Sequence, residues 1–151
     1  MRDGIRIGVD AGKARVGVSV CDPSGLLATP VVTLERNDPQ MLTQFKKLVG
    51  EYSPIEIVVG LPLNLQGNHT PSTQDAINLA REFQQVTNLP VRMIDERLTT
   101  VSAHAAMRSV GKKQRGTRSV IDQVAAVMVL QHALDLERSS GKPAGLDITE
   151  I

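Results

Sequence analysis

Tryptophan is missing, and Tyr52, Phe45 and Phe83 are the whole aromatic complement, 2% of the chain. All three fall in segments with helical apolar spacing, which leaves no platform on which splayed bases could stack. That argues against sequence reading of single strands and directs any nucleic-acid recognition to backbone or shape. Cysteine is scarce too. Cys21 alone cannot close an internal disulfide, which suits a reducing compartment and leaves only a cross-chain pair open. No apolar run is long enough to span a bilayer, and MRDGIRIGVD enters strand-like alternation too early for a signal peptide, so a cytoplasmic protein with no membrane partner is expected. The net charge is only +1, so a site for a polyanion would have to be local.

What is present is enough apolar material, 41% of 151 residues, for one domain with one core. The organising stretch is RIGVDAGKARVGVSVCD, residues 6 to 22. Ile5, Ile7 and Val9 alternate with Arg6 and Gly8, and Val16, Val18 and Val20 resume the β-branched spacing after a glycine-bearing turn. LLATPVVTLE, residues 26 to 35, follows an Asp22-Pro23-Ser24-Gly25 turn as a third strand, and the short connections make the three an antiparallel meander.

Asn37 or Asp38 then caps a helix with Pro39 in its first turn, and Met41, Leu42, Phe45, Leu48 and Val49 give its core-facing stripe. IEIVVGLPL reads as a buried strand ending at Gly60 and Pro62. Thr70-Pro71 starts a second helix running to about Val86, and residues 91 to 96 form a fifth strand. Thr99 caps a third helix to about Val110. GKKQRGTR, residues 111 to 118, is a basic loop, and a last helix runs from Ser119 to about Arg138. Residues 1–138 thus form the domain, and 139–151, SSGKPAGLDITEI, have the composition of a flexible tail. Both later strands are reached through helices and are expected to run parallel to the first. The fold class is therefore α/β, with a five-stranded mixed sheet, three antiparallel then two parallel strands, and helices on both faces. That order matches the ribonuclease H-like architecture.

Three acids interrupt apolar elements. Asp10 ends the first strand, Glu96 ends VRMIDER before its arginine, and Asp122 lies in SVIDQVAAVMVLQHAL. Asp-x-Gly alone also begins an ordinary Asx turn. Buried charges are costly unless paired or bound to a metal, and the expected topology gathers all three acids at one edge. There, two divalent ions would neutralise them and hold a phosphodiester between its attacking and leaving oxygens, with Asp10 shared between the ions and Glu96 and Asp122 holding one each. Oxygen-only ligands suit magnesium, with manganese as substitute.

With those residues in view, the sequence resembles the YqgF/RuvX family, whose members are described as pre-16S rRNA nucleases and as Holliday junction resolvases. The resemblance runs from Ile5 to about Glu137. Its carriers are VDAGKARVGVSVCD from Val9, VVGLPLNLQGNHTPST from Val58, DERLTT from Asp95 and DQVAAVMVL from Asp122. It implies a metal-dependent nuclease with Asp10, Glu96 and Asp122 as acidic triad, acting in ribosome maturation.

Around the acids stand candidate substrate contacts. Lys13 and Arg15 follow Asp10 in the turn, and with Lys112, Lys113, Arg115 and Arg118 they would form a basic rim. Asn64 and Ser72 lie near a helix start whose free N–H groups favour phosphate. Gly60 would let a sugar-phosphate backbone approach the sheet. Arg97 would clamp a phosphate or simply pair with Asp95 or Glu96, and Thr99 follows it. Of Asp95 and Glu96 only one can share Asp10's face. Glu96 alternates with Arg92 and Ile94 as Asp10 does with Arg6 and Gly8, so Glu96 is expected to be the ligand. His69, His104 and His132 have no metal-like spacing and read as surface or helix-packing residues.

The expected partner is structured nucleic acid. Precursor rRNA is first, and branched DNA cut by a junction resolvase is the near rival. Trimming RNA allows a monomer, whereas cutting both strands of a junction demands a homodimer. An actin-type ATPase also uses strand-turn-strand with Asp-x-Gly, but such enzymes close two domains on the nucleotide. A non-catalytic RNA-binding assembly factor would have no use for three converging acids.

Overall fold

A computed structural model describes residues 1–97 and 118–151, with backbone alone for 118–120. The expected third helix and the loop residues 111 to 117 lie outside the described residues. The alternation of Ile7 and Val9 with Arg6, Gly8 and Asp10 forms β1 (Arg6–Ala11), which pairs antiparallel with β2 (Arg15–Cys21), and β2 pairs antiparallel with β3 (Ala28–Glu35). β4 (Glu56–Leu61) runs parallel to β1 with Ile7 opposite Ile57, and β5 (Val91–Asp95) runs parallel to β4 with Val59 opposite Met93.

The sheet has six strands in the order β3-β2-β1-β4-β5-β6, one more than expected. The extra strand, β6 (Leu146–Asp147), comes from the segment read as a flexible tail. It pairs antiparallel with β5, Arg92 opposite Asp147, and Arg92 Nε donates to the Ala144 carbonyl. The adjoining Ile148 is buried in the main core. Low apolar content concealed this because two ladder residues and one isoleucine suffice to dock a segment onto an open edge.

α1 (Met41–Tyr52) and α2 (Pro71–Thr87) cover one face. Ile7, Val9, Ile57, Val59 and Met93 point there and meet Phe45, Ile77 and Phe83, and the two phenylalanine rings stack. The α2 cap follows the expectation: Thr70 accepts from the Thr73 N–H and the Thr73 hydroxyl reaches back, with Pro71 at the first helical position. The α1 cap does not. Gln40 occupies that position without a side-chain hydrogen bond, because the Asp38 carboxylate is turned to the Gln40 N–H in an Asx turn that ends before the helix begins.

The other face carries the last helix, α3 (Arg118–Ser140), whose Val127, Leu130, Ala133 and Leu134 pack on Val58 and Ile94. Glycines let it lie close. A Cβ on Gly8 would stand 2.6 Å from Leu130 Cβ, and one on Gly17 would collide with the Asp122 carbonyl oxygen. Among the described residues, no helix is long and apolar enough to cross a membrane.

The far end of this helix carries a charged network that periodicity did not reveal. Arg6 is 1% exposed, and its guanidinium donates to Glu137 at 2.7 Å and to the Gly4 and Arg2 carbonyls. Arg2 bridges Glu137 and the buried Glu56. Burial alone would push the Glu137 carboxyl up, but the hydrogen bonds from Arg2 hold it below the usual range. Removing one partner of a buried pair strands the other charge, so Glu137→Leu is expected to cost about 3–5 kcal/mol. Chemical denaturation checks this, and a loss under about 1 kcal/mol would show the network to be dispensable.

Candidate active site

Parallel strands bring their carboxyl ends to one edge, and β1, β4 and β5 do so beneath the start of α3. Asp10 stands one residue before the end of β1, on the face it shares with Arg6 and Gly8. Its register partner is Gly17, over which the Asp122 backbone rests. Glu96 lies just past β5 in a turn, its N–H donating to the Leu61 carbonyl. Its side chain folds back over Gly60, where a Cβ would collide with Glu96 Oε1. The room expected at Gly60 for a substrate backbone is therefore filled by the glutamate.

The Asp10 and Glu96 carboxyls are joined by a hydrogen bond, which requires one proton between them. Burial, the Asp10 charge and that hydrogen bond push Glu96 up to about 8. Burial also raises Asp10, with the Asp122 charge adding to it and the bond from Glu96 opposing it. The proton stands on Glu96 and is donated to Asp10.

Asp122 is close enough to Asp10 to raise it, but its carboxylate accepts from Arg15 Nε at 2.8 Å. Arg15, expected in a basic rim, is turned inward on this acid, whereas Lys13 is exposed in the turn. Asp95 takes no part in the shared proton and is gripped instead by Arg97, with Nη2 to Oδ2 at 2.7 Å. That hydrogen bond, more than any other influence, holds Asp95 below its usual range. Of the two readings for Arg97, the structure shows the pair.

The Asn64 side chain accepts from the Gln66 and Asn68 N–H groups and shapes its own loop, and Ser72 is exposed in the first turn of α2. The Thr70–Thr73 capping box already serves part of that helix start. Thr99, Lys112, Lys113 and Arg115 lie outside the described residues, and Arg118 opens α3.

Among the described residues, no group of three or more His, Cys, Asp or Glu side chains is gathered closely enough to hold a metal ion. The donor chemistry nevertheless fits one. Two half-buried carboxyls that share a proton form a site whose charge a hard divalent cation would neutralise, and the third acid, paired with Arg15, is near enough to Asp10 to raise it.

His132, expected to be a surface or helix-packing residue, is packed on the helix and also borders the acids. His132 on α3 is 5% exposed, and among the described residues neither Nδ1 nor Nε2 has a hydrogen-bond partner. It lines a cavity of about 140 Å³ with Asp10, Asp95, Glu96, Ile94, Ala125, Met128 and Val129. The sequence signal was its spacing from Ala125, Met128 and Val129, which places all four on one helical face. A search for metal spacing among histidines passes over it.

The family model described as RuvX, Holliday junction resolvase, matches residues 4–136. A protein of Leifsonia xyli subsp. xyli named "Putative pre-16S rRNA nuclease" is 48% identical over 146 residues, 96% of this chain and 94% of that protein. One of the same name from Streptomyces coelicolor is 48% identical, covering 96% of this chain and 88% of its own length. Among solved structures, RuvC of T. thermophilus in complex with Holliday junction substrate superposes with a TM-score of 0.59 at 14% identity, over 93% of this chain and 99% of that one. That likeness concerns the fold.

Proposed function

This chain belongs to the RuvX family of nucleases, and from that premise we propose that it hydrolyses phosphodiester bonds in structured RNA, the precursor of 16S rRNA, in the cytoplasm and with a divalent metal. The observation that carries the metal-dependent chemistry is the proton-sharing Asp10–Glu96 pair at the carboxyl ends of parallel strands, where open α/β sheets place their ligands. The choice of RNA rests on the names of the relatives at 48% identity.

Magnesium, when bound, would neutralise the carboxylates and polarise the scissile phosphate. Asp10 and Glu96 would hold it, joined by Asp122. The rest of the work belongs to the chain. Gly60 leaves the space in which Glu96 lies against Asp10, and Arg97 gives a fourth carboxylate, Asp95, a cation of its own. Arg15 holds Asp122 in place while the carboxylates are uncompensated.

A second reading, resolution of four-way DNA junctions, is favoured by the description of the matching family. Cleavage in magnesium of precursor 16S rRNA fragments and of four-way junctions, with Asp10→Asn protein as control, separates the two. Cutting of the RNA alone is expected, and cutting of the junction alone would transfer the reading to DNA.

Lys112, Lys113, Arg115 and Arg118 enter the proposal as a backbone-holding loop. Neutralising all four should weaken binding to every sequence alike and flatten the salt dependence by about 0.7–0.9 log units for each phosphate that no longer meets a cation. An unchanged slope would return them to solvated surface.

A further inference from the structure

His132 poses a chemical problem that the acid site does not solve. A neutral imidazole carries one N–H donor and one acceptor, and leaving both dry in a protein interior is costly. Among the described residues both are unpartnered here, in a side chain only 5% exposed, on the wall of a cavity. Burial holds the ring below its ordinary value, toward the neutral form that offers both functions.

The other walls limit what can satisfy it. Ile94 from β5 and Ala125, Met128 and Val129 from α3 make an apolar surface, and Asp10, Asp95 and Glu96 supply acceptors. Without a bound cation, a phosphate would be repelled by those acids. A volume of about 140 Å³ is that of a single ring, since an apolar protein cavity of about 150 Å³ accepts benzene. A flat heterocycle with N–H donors and a carbonyl acceptor on its edge meets every wall, and enzymes that draw a base out of the stack hold it between apolar side chains with hydrogen bonds to its edge.

We propose that this cavity is a subsite for one unpaired pyrimidine base of the substrate, its ring against Ile94, Met128 and Val129 and its edge hydrogen-bonded to His132. The proposal deepens the nuclease reading and rests on it: the base would belong to a nucleotide beside the phosphate that a cation on Asp10 and Glu96 would hold. Such a protein prefers cleavage where a pyrimidine is unpaired, which aromatic stacking platforms are not needed to achieve.

The test uses the full chain and uncharged probes, so that repulsion by the acids does not enter. Cytidine, uridine, adenosine and ribose are titrated while the His132 ring resonances, assigned with His132→Leu protein, are followed by NMR. Cytidine and uridine should shift them saturably, ribose should not, and His132→Leu should bind the pyrimidine nucleosides at least about tenfold more weakly. The unfolding midpoint of His132→Leu should equal or exceed that of the native chain, because two unpaired polar atoms are removed, so lost binding could not be assigned to misfolding. No shift with any nucleoside, as for a cavity that holds only water, would overturn the proposal, as would an equal response to ribose or to adenosine. Cytidine binding without cleavage of any RNA or junction would retain the pocket and sink the nuclease reading, whereas cleavage without nucleoside binding would do the reverse.

Discussion

Asp10→Asn protein is expected to cut no substrate that the native chain cuts and, free of metal, to unfold at a higher temperature than the native chain. Both effects come from one carboxylate. Asp10 is the acceptor in the shared-proton pair with Glu96, and Asp122 pushes it up as well, so its charge is compensated only when a cation is present. An amide keeps an oxygen to accept the Glu96 proton but brings no charge into the cluster, which should stabilise the metal-free fold by about 1–2 kcal/mol. It is a poor ligand for a hard cation. The fall in activity should exceed the about ten- to hundredfold that outer partners of a metal site are worth. Thermal unfolding in chelator and single-turnover cleavage in magnesium read the two effects separately. Native-like cleavage would end the carboxylate mechanism, and a lower unfolding temperature would show that Asp10 serves the fold.

α3 joins the two ends of this face. At its start Asp122 lies over Gly17 beside Asp10, and near its end Glu137 closes a buried network with Arg6 and Arg2. Arg6 and Asp10 share one strand and one face. The same period-two alternation that sets Asp10 beneath the start of α3 therefore commits Arg6 to the interior, where Glu137 from the helix balances it.

That parity was legible in the sequence, and so was most of the sheet. Alternation in RIGVD sets Asp10 on the face of Arg6 and Gly8, but the strand expected over 91 to 96 ends at Asp95, and Glu96 meets Asp10 from the following turn, its side chain folded over Gly60. Thr70-Pro71 announced its helix because cap chemistry is local. What escaped depends on contacts distant in sequence. β6 docks through two residues onto β5, Arg15 reaches Asp122 across 107 positions, and Arg6 reaches Glu137 across 131. Gly60 was read as an opening for substrate, yet its missing side chain accommodates Glu96. His132 escaped because its meaning lies in what it lacks, a partner, and only packing reveals that.

Glu96→Gln should abolish metal-dependent cleavage and also flatten the dependence of stability on pH, whereas Asp95→Asn should do neither. Glu96 has its folded value raised from 4.5 to about 8, so the folded state holds a proton that the unfolded chain releases. A carboxyl shifted upward stabilises the protein while it is protonated in the fold. That contribution is lost as pH rises from about 4.5 through about 8. The metal-free native chain should therefore be most stable near the bottom of this window and weaken toward its top. A shift of this size sets an upper bound of about 5 kcal/mol, and solvent reaching the partly buried pair reduces it. Magnesium would bind the deprotonated carboxylates, so its stabilising effect should grow over the same window in which the metal-free protein weakens. Glutamine keeps the hydrogen-bond donor toward Asp10 and removes the titration, so both trends should largely vanish. Asp95 is held below its usual range by Arg97, and its contribution disappears only as pH falls under about 4, outside that window. Loss of the acid end of the native profile in Asp95→Asn is thus compatible with the assignment. A Glu96→Gln protein that keeps the native fall in stability from about 4.5 to about 8, or one that still cleaves in magnesium while Asp95→Asn does not, would give the site to Asp95 instead.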